Sequence, residues 1–245
     1  MRDFLVFRLC GPLASWGDIG IGEVRATWPR PSKSAVLGLV AGALGIARTE
    51  ENQLIELDQN LGFAVRVDQR GEALRDYHTT QTAPSRRNVF HLTRRAELSV
   101  GRGELATILS ERAYLTNARA VVALWAKGEK PPALAALAQA LTRPRFTPYL
   151  GRKSCVLAQP MAPQILAGLS LPDVFALFDQ RLAEREADLW PGLRIQSDRP
   201  DIWFELGAGI DASSGEHVSR RDGLRSRRGW TYRDRPEALL RSEEP

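Results

Sequence analysis

The order of apolar segments along the first 141 residues most constrains the fold. Two kinds of segment alternate, namely short runs rich in β-forming residues and longer apolar runs that suit helices. Strands are predicted at residues 4–9, 62–67 and 118–125, and helices at 35–46 and 131–141. The second helix opens with Pro131 and Pro132, and proline is favoured in a first helical turn. The order β, α, β, β, α predicts an α+β protein whose core is a ferredoxin-like, RNA-recognition-type βαββαβ unit.

The first helix has an unusual composition. Pro31 and Ser32 precede it, which predicts a serine N-cap. Gly38, Gly42 and Gly45 form a face of small residues, and because glycine weakens helices we expect close packing of this face against a sheet.

Three later segments complete the outline. Residues 79–112 form a long, basic, irregular stretch between the middle strands, residues 172–189 predict an acidic helix, and residues 202–206 predict a last strand before a tail rich in Gly, Ser and Arg.

Positive charge is concentrated in a few segments. The formal net charge is +5, and 30 of the 34 basic residues are arginine. Residues 79–112, 143–153 and 220–241 carry +3, +4 and +5, so the rest of the chain totals −7. A GC-rich genome alone also enriches arginine. The uneven placement nevertheless favours a polyanionic partner, which guanidinium groups bind bidentately.

Several classes of protein are excluded or disfavoured. The apolar stretch 35–47 is too short to span a membrane, and charged residues interrupt the first apolar run, so we expect no membrane contact and no signal peptide. Two cysteines, Cys10 and Cys155, suit a cytoplasmic protein. No metal-ligand spacing, dinucleotide fingerprint or phosphate-binding loop occurs, so we expect no metal and no cofactor.

Two segments could bind a phosphodiester chain. Lys33 and Ser34 lie at a helix N-terminus, where free amides and a cation favour phosphate, although ordinary capping explains them equally well. Residues 144–155 combine stiff prolines, a glycine, aromatic faces and three cations, which suits single-stranded RNA. Core packing of Phe146 and Tyr149 is the alternative there.

His78 is the one candidate general base, because histidine is the side-chain type that commonly exchanges protons near neutral pH and Tyr77 is beside it. It could equally stack on a base or form a structural hydrogen bond.

Three blocks carry a resemblance to a known family. The first runs from Phe7 to Gly17 and on through residues 25–46, the second is residues 74–79, and the third is PRFTPYLGRKSC at 144–155. In these blocks the chain resembles the Cas-five family of RAMP proteins, and within it the subunits of type I-E CRISPR Cascade complexes. The similarity covers most of residues 1–157.

The resemblance implies an architecture and a role. It implies a palm over residues 1–160 with a β-rich thumb inserted at about 79–112, and a C-terminal extension over 161–245. It implies a non-catalytic subunit that caps the 5′ handle of the CRISPR RNA for antiviral DNA targeting. Its partners would be that RNA, the backbone subunit, the large PAM-recognising subunit and, indirectly, target DNA.

Residue roles follow from the same comparison and from the charge pattern. The expected RNA-binding residues are Arg8, Trp16, Arg25, Lys33, Ser34, Tyr77, His78, Arg86, Arg87, Arg94, Arg95, Arg145, Tyr149, Gly151, Arg152 and Lys153. Relatives of type I-C cut RNA with a Tyr, Lys and His set. No lysine is placed to join Tyr77 and His78, so the alternative is a metal-independent endoribonuclease that relies on His78. A second alternative is that the basic tail, residues 220–241, contacts target DNA or the large subunit.

Overall fold

The computed structural model describes residues 1–18, 20, 22–186, 200–210 and 216–240. Within them, strands outnumber helices. In chain order the elements are β1 (Arg2–Cys10), β2 (Leu13–Ala14), β3 (Val24–Arg25), α1 (Lys33–Leu44), α2 (Glu51–Asn60), β4 (Leu61–Gln69), β5 (Glu72–Thr82), α3 (Arg94–Glu97), a 3-10 turn (Arg102–Glu104), β6 (Ala106–Thr116), β7 (Arg119–Ala126), α4 (Leu134–Thr142), β8 (Gln164–Gly168), α5 (Leu171–Glu186), β9 (Asp201–Glu205), β10 (Glu216–Ser226) and β11 (Thr231–Leu240).

Seven strands form the central sheet, in the order β10-β11-β9-β4-β7-β1-β8, and every neighbouring pair is antiparallel. The predicted α+β class is confirmed. The strands predicted at 4–9, 62–67 and 118–125 are present as β1, β4 and β7, and the two helices predicted before residue 142 are α1 and α4. Helix α2 was not predicted, because its sequence is polar and only Leu54 and Leu57 bury apolar side chains.

Apolar side chains cover both faces of this sheet. In β1, Leu5, Phe7 and Leu9 face one core, which α1, α2 and α4 complete, while Phe4 and Val6 face a second core against α5. The alternation follows from the two-residue period of a strand, and burial on both faces explains why the run is apolar throughout.

Helix α1 begins as predicted but uses its glycines differently. The Ser32 hydroxyl accepts a hydrogen bond from the Ala35 N–H at 3.1 Å, which confirms the serine N-cap. Gly45 ends the helix with a φ of 81°. A β-carbon at Gly42 would meet nothing within 4 Å, and one at Gly38 would meet only the Arg227 guanidinium. The expectation that this glycine face packs closely on a sheet is therefore wrong.

Strands β5 and β6 form a long hairpin, which we define as residues 72–116. Their register runs unbroken from Glu72 opposite Thr116 to Thr82 opposite Ala106. The stretch predicted to be irregular from 79 to 112 is therefore paired strand at both ends. Both faces of the hairpin are largely exposed, so its strands carry many polar residues. These polar residues hide the apolar pattern by which a strand is recognised in sequence.

The C-terminal region extends the same sheet. Strand β8 pairs with β1 and β9 pairs with β4, so the sheet continues across the predicted boundary at residue 160. Residues predicted to be a basic tail form the paired strands β10 and β11 up to Leu240. Helix α5 matches the predicted acidic helix as far as Glu186, and residues 187–189 lie outside the described part. Within the described residues, no helix is long and apolar enough to cross a membrane.

Candidate nucleic-acid interface

The second half of the 144–155 motif docks at the foot of the long hairpin. The Ser15 N–H donates to the Leu150 carbonyl at 3.0 Å, and the Ser15 hydroxyl donates to the Ala113 carbonyl of β6 at 3.1 Å. Gly151 has a φ of 87°, and a β-carbon there would lie 1.7 Å from the Ser15 carbonyl oxygen. Only glycine fits this approach. The motif therefore fixes the loop after β1 against β6.

Arg152 completes this junction. Its guanidinium donates to the Ala113 carbonyl at 3.0 Å and to the Arg25 carbonyl at 3.1 Å, and it lies 4.6 Å from the centre of the Tyr114 ring. The side chain is half-buried, so part of the cation remains accessible. Arg152 thus holds β3 next to β6 while it adds charge to the surface.

One face of the hairpin sheet collects cations. Arg25 of β3 lies opposite Arg112 of β6, and Arg112 lies opposite Asp76 of β5. In paired strands, residues opposite each other and residues two positions apart along one strand point to the same face. His78 and Tyr114 therefore lie on the same face as Arg112. We define the arginine face as Arg25, Arg112, Arg152 and His78. Three arginines against two carboxylates, Asp76 and Glu72, leave it electropositive, and Glu72 lies at the end far from Arg112.

The opposite face of the hairpin has a different character. Arg75 lies 3.6 Å from Glu111, which pairs their charges. Tyr77 lies on this face too, since it is opposite Glu111 in the register, and its side chain is strongly exposed. Tyr77 and His78 therefore point to opposite sides of the strand, although they are adjacent in sequence.

The predicted phosphate site at the start of α1 is already filled by a carboxylate. The Lys33 N–H donates to the Asp222 side chain at 2.8 Å, and the Lys33 ammonium is 2.9 Å from Glu205 and donates to the Asp58 carbonyl at 2.8 Å. The Lys33 side chain is 1% exposed. The expectation that Lys33 binds RNA is corrected, because a neighbouring strand supplies the anion. Ser34 is half-buried beside it.

Burial also sets the acidity of Lys33. Desolvation lowers its pKa to about 8, although Glu205 and Asp58 act in the other direction by stabilising the charge. The neighbouring Arg235 shows the reverse balance: burial lowers its pKa, but hydrogen bonds to Asp222 raise it overall.

Two further expected RNA contacts lie inside the protein. Trp16 is 7% exposed and belongs to the core beneath α1. Arg8 is buried, and its Nε donates to the Pro160 carbonyl at 2.8 Å. Both expectations are corrected, because these side chains serve the packing of the loop after β1 and of the segment before β8.

The first half of the motif lies at the C-terminal end of α1. The Arg145 N–H donates to the Ala43 carbonyl at 2.9 Å, and the Phe146 N–H donates to the Gly42 carbonyl at 3.2 Å, so the motif caps that helix. The side chains of Arg145, Tyr149 and Lys153 are exposed. A polyanion could therefore reach these three side chains. They are not members of the arginine face.

The arginines at the tip of the long hairpin form local ion pairs. Arg94 is 2.7 Å from Glu97, and this bond lowers the pKa of Glu97. Arg86 is 3.1 Å from Glu104. Arg87 and Arg95 are also exposed. All four predicted arginines are therefore on the surface.

Sequence reasoning missed two members of the site. Arg112 and Tyr114 were passed over because residues 106–116 were not recognised as a strand. The available signal was composition: residues 107–109 (TIL) and 114–116 (YLT) are mostly strand-forming types, although Glu111 and Arg112 between them break the apolar pattern.

Two arginines of the predicted tail are used inside the protein. Arg220 donates to the carbonyls of Pro31 and Arg30 at 3.0 and 3.1 Å. Arg235 bonds Asp222 and Glu237, each at 2.8 Å. Arg220 thus joins β10 to the segment before α1, and Arg235 joins β11 to β10. This part of the sequence therefore does not form a free basic tail.

Other chemistry finds little support in the described part of the chain. It holds no group of three or more His, Cys, Asp and Glu side chains arranged for a metal. Cys10 and Cys155 are free and buried, and burial raises the pKa of both thiols.

Comparison with known proteins identifies the family. Residues 4–223 match the family described as CRISPR-associated protein (Cas_Cas5). The chain belongs to the CRISPR-associated Cas5 family. It is 36% identical over 169 residues to the CRISPR system Cascade subunit CasD of Escherichia coli strain K12, which covers 66% of this chain and 70% of that protein.

Solved structures agree with this Cas5 assignment. A chain of a CRISPR RNA-guided surveillance complex superposes with a TM-score of 0.63 at 25% identity, covering 98% of this chain and 90% of the other. A crystal structure of a Cas protein superposes with a TM-score of 0.58 at 26% identity, covering 97% of this chain and 94% of the other. The resemblance drawn from the three sequence blocks is confirmed.

Proposed function

We propose that this chain is a non-catalytic RNA-binding subunit of a Cascade-type surveillance complex, where it holds the 5′ handle of the CRISPR RNA. The family and the similarity to CasD support the assembly. In this proposal the subunit works in the cytoplasm and joins the backbone subunit to the large PAM-recognising subunit. Contact with target DNA is indirect.

The arginine face is the observation that carries the RNA-binding part. Arg25, Arg112 and Arg152 lie together on one side of the hairpin sheet, next to His78 and the Tyr114 ring. Guanidinium groups bind phosphate oxygens bidentately and stack on bases, so this face suits a single strand of RNA. One member of the face, Arg152, belongs to the 144–155 motif that carries the family resemblance.

The other exposed residues of the predicted set would contact the RNA beside the arginine face. We assign phosphate contacts to Arg145 and Lys153, a stacking contact to Tyr149, and a positioning role to Gly151, which allows the close approach at Ser15. The tip arginines Arg86, Arg87, Arg94 and Arg95 would lie between the RNA and a neighbouring subunit.

We also propose the finer architecture. The elements β1, α1, β4, β7, α4 and β8 follow the βαββαβ order, and their strands lie as β4-β7-β1-β8. This arrangement supports a ferredoxin-like palm. The long hairpin would be the thumb, and α5 with β9 to β11 the C-terminal extension.

The sharpest test compares two arginines of one hairpin that face opposite ways. Arg112→Ala should weaken binding of a handle RNA by about tenfold and reduce the salt dependence of binding by about one phosphate contact. Arg75→Ala removes the same charge from the other face and should change the affinity less than twofold. Titration of a labelled handle RNA at several salt concentrations measures both. Equal losses in the two variants would contradict a specific RNA face.

The endoribonuclease alternative gains no support from the geometry. An RNA-cleaving pair must reach one phosphodiester, but Tyr77 and His78 point to opposite sides of β5. The Asp76 carboxylate lies 4.0 Å from Nδ1 of His78. We therefore assign His78 an orienting contact with RNA and not a catalytic one.

A further inference from the structure

We propose that the turn between β10 and β11 is a second surface that binds a polynucleotide strand. It consists of Arg48, Arg227, Arg228 and Trp230, and we call it the tryptophan turn. The indole would stack on a base, and the guanidinium groups would contact phosphates. The proposal does not depend on RNA binding at the arginine face.

Trp230 is exposed and surrounded by cations. Its side chain is 54% exposed, and the guanidinium carbons of Arg48 and Arg227 lie 4.1 and 4.6 Å from its ring centre. The quadrupole of an aromatic ring attracts a cation placed over it, so each guanidinium is held near the indole. The turn therefore offers an aromatic surface and positive charge at one place, as single-stranded nucleic-acid sites do.

Hydrogen bonds hold this arrangement before any ligand arrives. Arg48 donates to the carbonyls of Arg227 and Arg228, both at 3.3 Å, and so ties the turn to the segment between α1 and α2. Arg227 donates to the Tyr232 hydroxyl at 2.8 Å. A site fixed in advance loses less conformational entropy on binding, which favours affinity.

The backbone at Trp230 points to a role for the ring. Its φ is +52°, a left-handed conformation that a bulky residue rarely adopts and that glycine adopts without strain. Glycine at this position would relieve that strain but would lose the ring's contacts with Arg48 and Arg227. A strained residue held in place by its surroundings is a candidate functional position.

Charge favours a nucleic acid as the partner. Residues 223–233 contain four arginines and no acidic residue. Arg233 pairs with Asp58 at 3.2 Å, whereas Arg228 is exposed at the turn itself. An acidic protein would satisfy the charge alone, but bases also match the exposed indole face. A polynucleotide therefore fits the tryptophan turn better.

The two surfaces lie at opposite ends of the central sheet. In the register, Glu237 of β11 is opposite Glu205 of β9, and Phe204 is opposite Ala64 of β4. Because β9 is antiparallel to both, β4 and β11 run parallel to each other. The long hairpin follows the C-terminal end of β4, whereas the tryptophan turn precedes the N-terminal end of β11. A strand bound at the tryptophan turn would therefore occupy a different part of the complex from RNA at the arginine face.

The test uses the full chain and three fluorescent probes, a 15-nucleotide oligo(U), a 15-nucleotide oligo(dT) and a 15-base-pair DNA duplex. Trp230→Gly removes the ring and relieves the backbone strain, while the hydrogen bonds of Arg48 and Arg227 that hold the turn do not involve the ring, and a melting curve of the variant checks that it is folded. We expect it to weaken single-stranded binding by about tenfold. Arg228→Glu should weaken binding and reduce its salt dependence. Comparison of the probes distinguishes RNA, single-stranded DNA and duplex DNA as the source.

Arg181→Glu provides the matched control. Arg181 is exposed on α5, which covers the other face of the sheet, and the substitution changes the net charge by the same amount as Arg228→Glu. We expect less than a twofold effect. Unchanged affinity of both turn variants for all three probes would overturn the proposal. So would a result in which they lose only binding to the other subunits, since the surface would then contact protein.

A photocrosslink adds a readout that a structural role would not change. An oligonucleotide with 5-iodouracil should crosslink to Trp230 in the parent protein. A crosslink confined to the long hairpin would place the strand at the arginine face alone and contradict a second surface. Arg112→Ala affects only the arginine face, so the two proposals can fail separately.

Discussion

The carboxylate of Asp222 accepts a hydrogen bond from the Lys33 N–H at 2.8 Å, in the first turn of α1. A helix N-terminus attracts anions because its amides are unpaired and its dipole is positive there. Here the anion comes from β10, about 190 residues later in the chain, and not from a ligand. The contact joins the C-terminal strands to the first helix and removes that helix start from the RNA-binding surface.

Asp222 should therefore be important for stability. Asp222→Ala leaves the Lys33 amide without its buried acceptor and leaves Arg235 with only one of its two carboxylates, Glu237, and losing one member of a buried pair costs about 3–5 kcal/mol. Urea unfolding should show a free energy of unfolding lower by that amount. Asp234→Ala, a change at an exposed carboxylate of β11, serves as the control and should cost less than about 0.5 kcal/mol. Similar losses would contradict the role of Asp222.

Lys33 should give the folded protein a characteristic response to alkaline pH. Its pKa falls from 10.5 to about 8 on folding, so between these values the unfolded chain binds the extra proton. The free energy of unfolding contributed by this group therefore rises with pH across that window, by at most about 3 kcal/mol.

The measurement is urea unfolding of the parent and of Lys33→Met at pH 8, 9 and 10. The difference in free energy between the two proteins should change with pH in the direction that favours the parent at higher pH. A difference independent of pH would show that the Lys33 pKa is not lowered. Binding of handle RNA by folded Lys33→Met should stay within twofold of the parent.

Two glycine-to-alanine substitutions should have opposite effects. Gly42→Ala places a β-carbon in open space within a helix, so it should raise stability by about 0.5–1 kcal/mol. Gly151→Ala forces a β-carbon against the Ser15 carbonyl at a φ of 87°, so it should lower the melting temperature and weaken RNA binding. Thermal unfolding with RNA titration measures both. A neutral Gly151→Ala would mean that the junction at Ser15 is not tight.

Repeat RNA should remain uncut by the purified chain. His78 has no second catalytic group on its face of the long hairpin within hydrogen-bond reach, as far as the described residues show. Incubation of labelled repeat RNA in EDTA with the parent and with His78→Ala checks this. Cleavage by the parent that disappears in His78→Ala would establish the endoribonuclease alternative.

Several elements of the fold were predictable from local sequence patterns. The apolar runs of β1, β4 and β7, the serine cap of α1 and the 144–155 motif were identifiable, because strand period, capping and motif chemistry act over a few residues. Those patterns were enough for the α+β class and the family.

The charged residues that face solvent could not be predicted in this way, because their burial depends on how the strands pair. Lys33, Arg220 and Arg235 are basic like Arg112 and Arg228, yet the first three are buried and paired with carboxylates of β9 and β10. A buried cation is tolerated only when such partners meet it. Lys33 meets Glu205 across 172 residues, and Arg220 donates to the Pro31 carbonyl across 189, so these contacts depend on how distant strands pair. The sequence located the positive charge, and the fold decided which part of it a polyanion can reach.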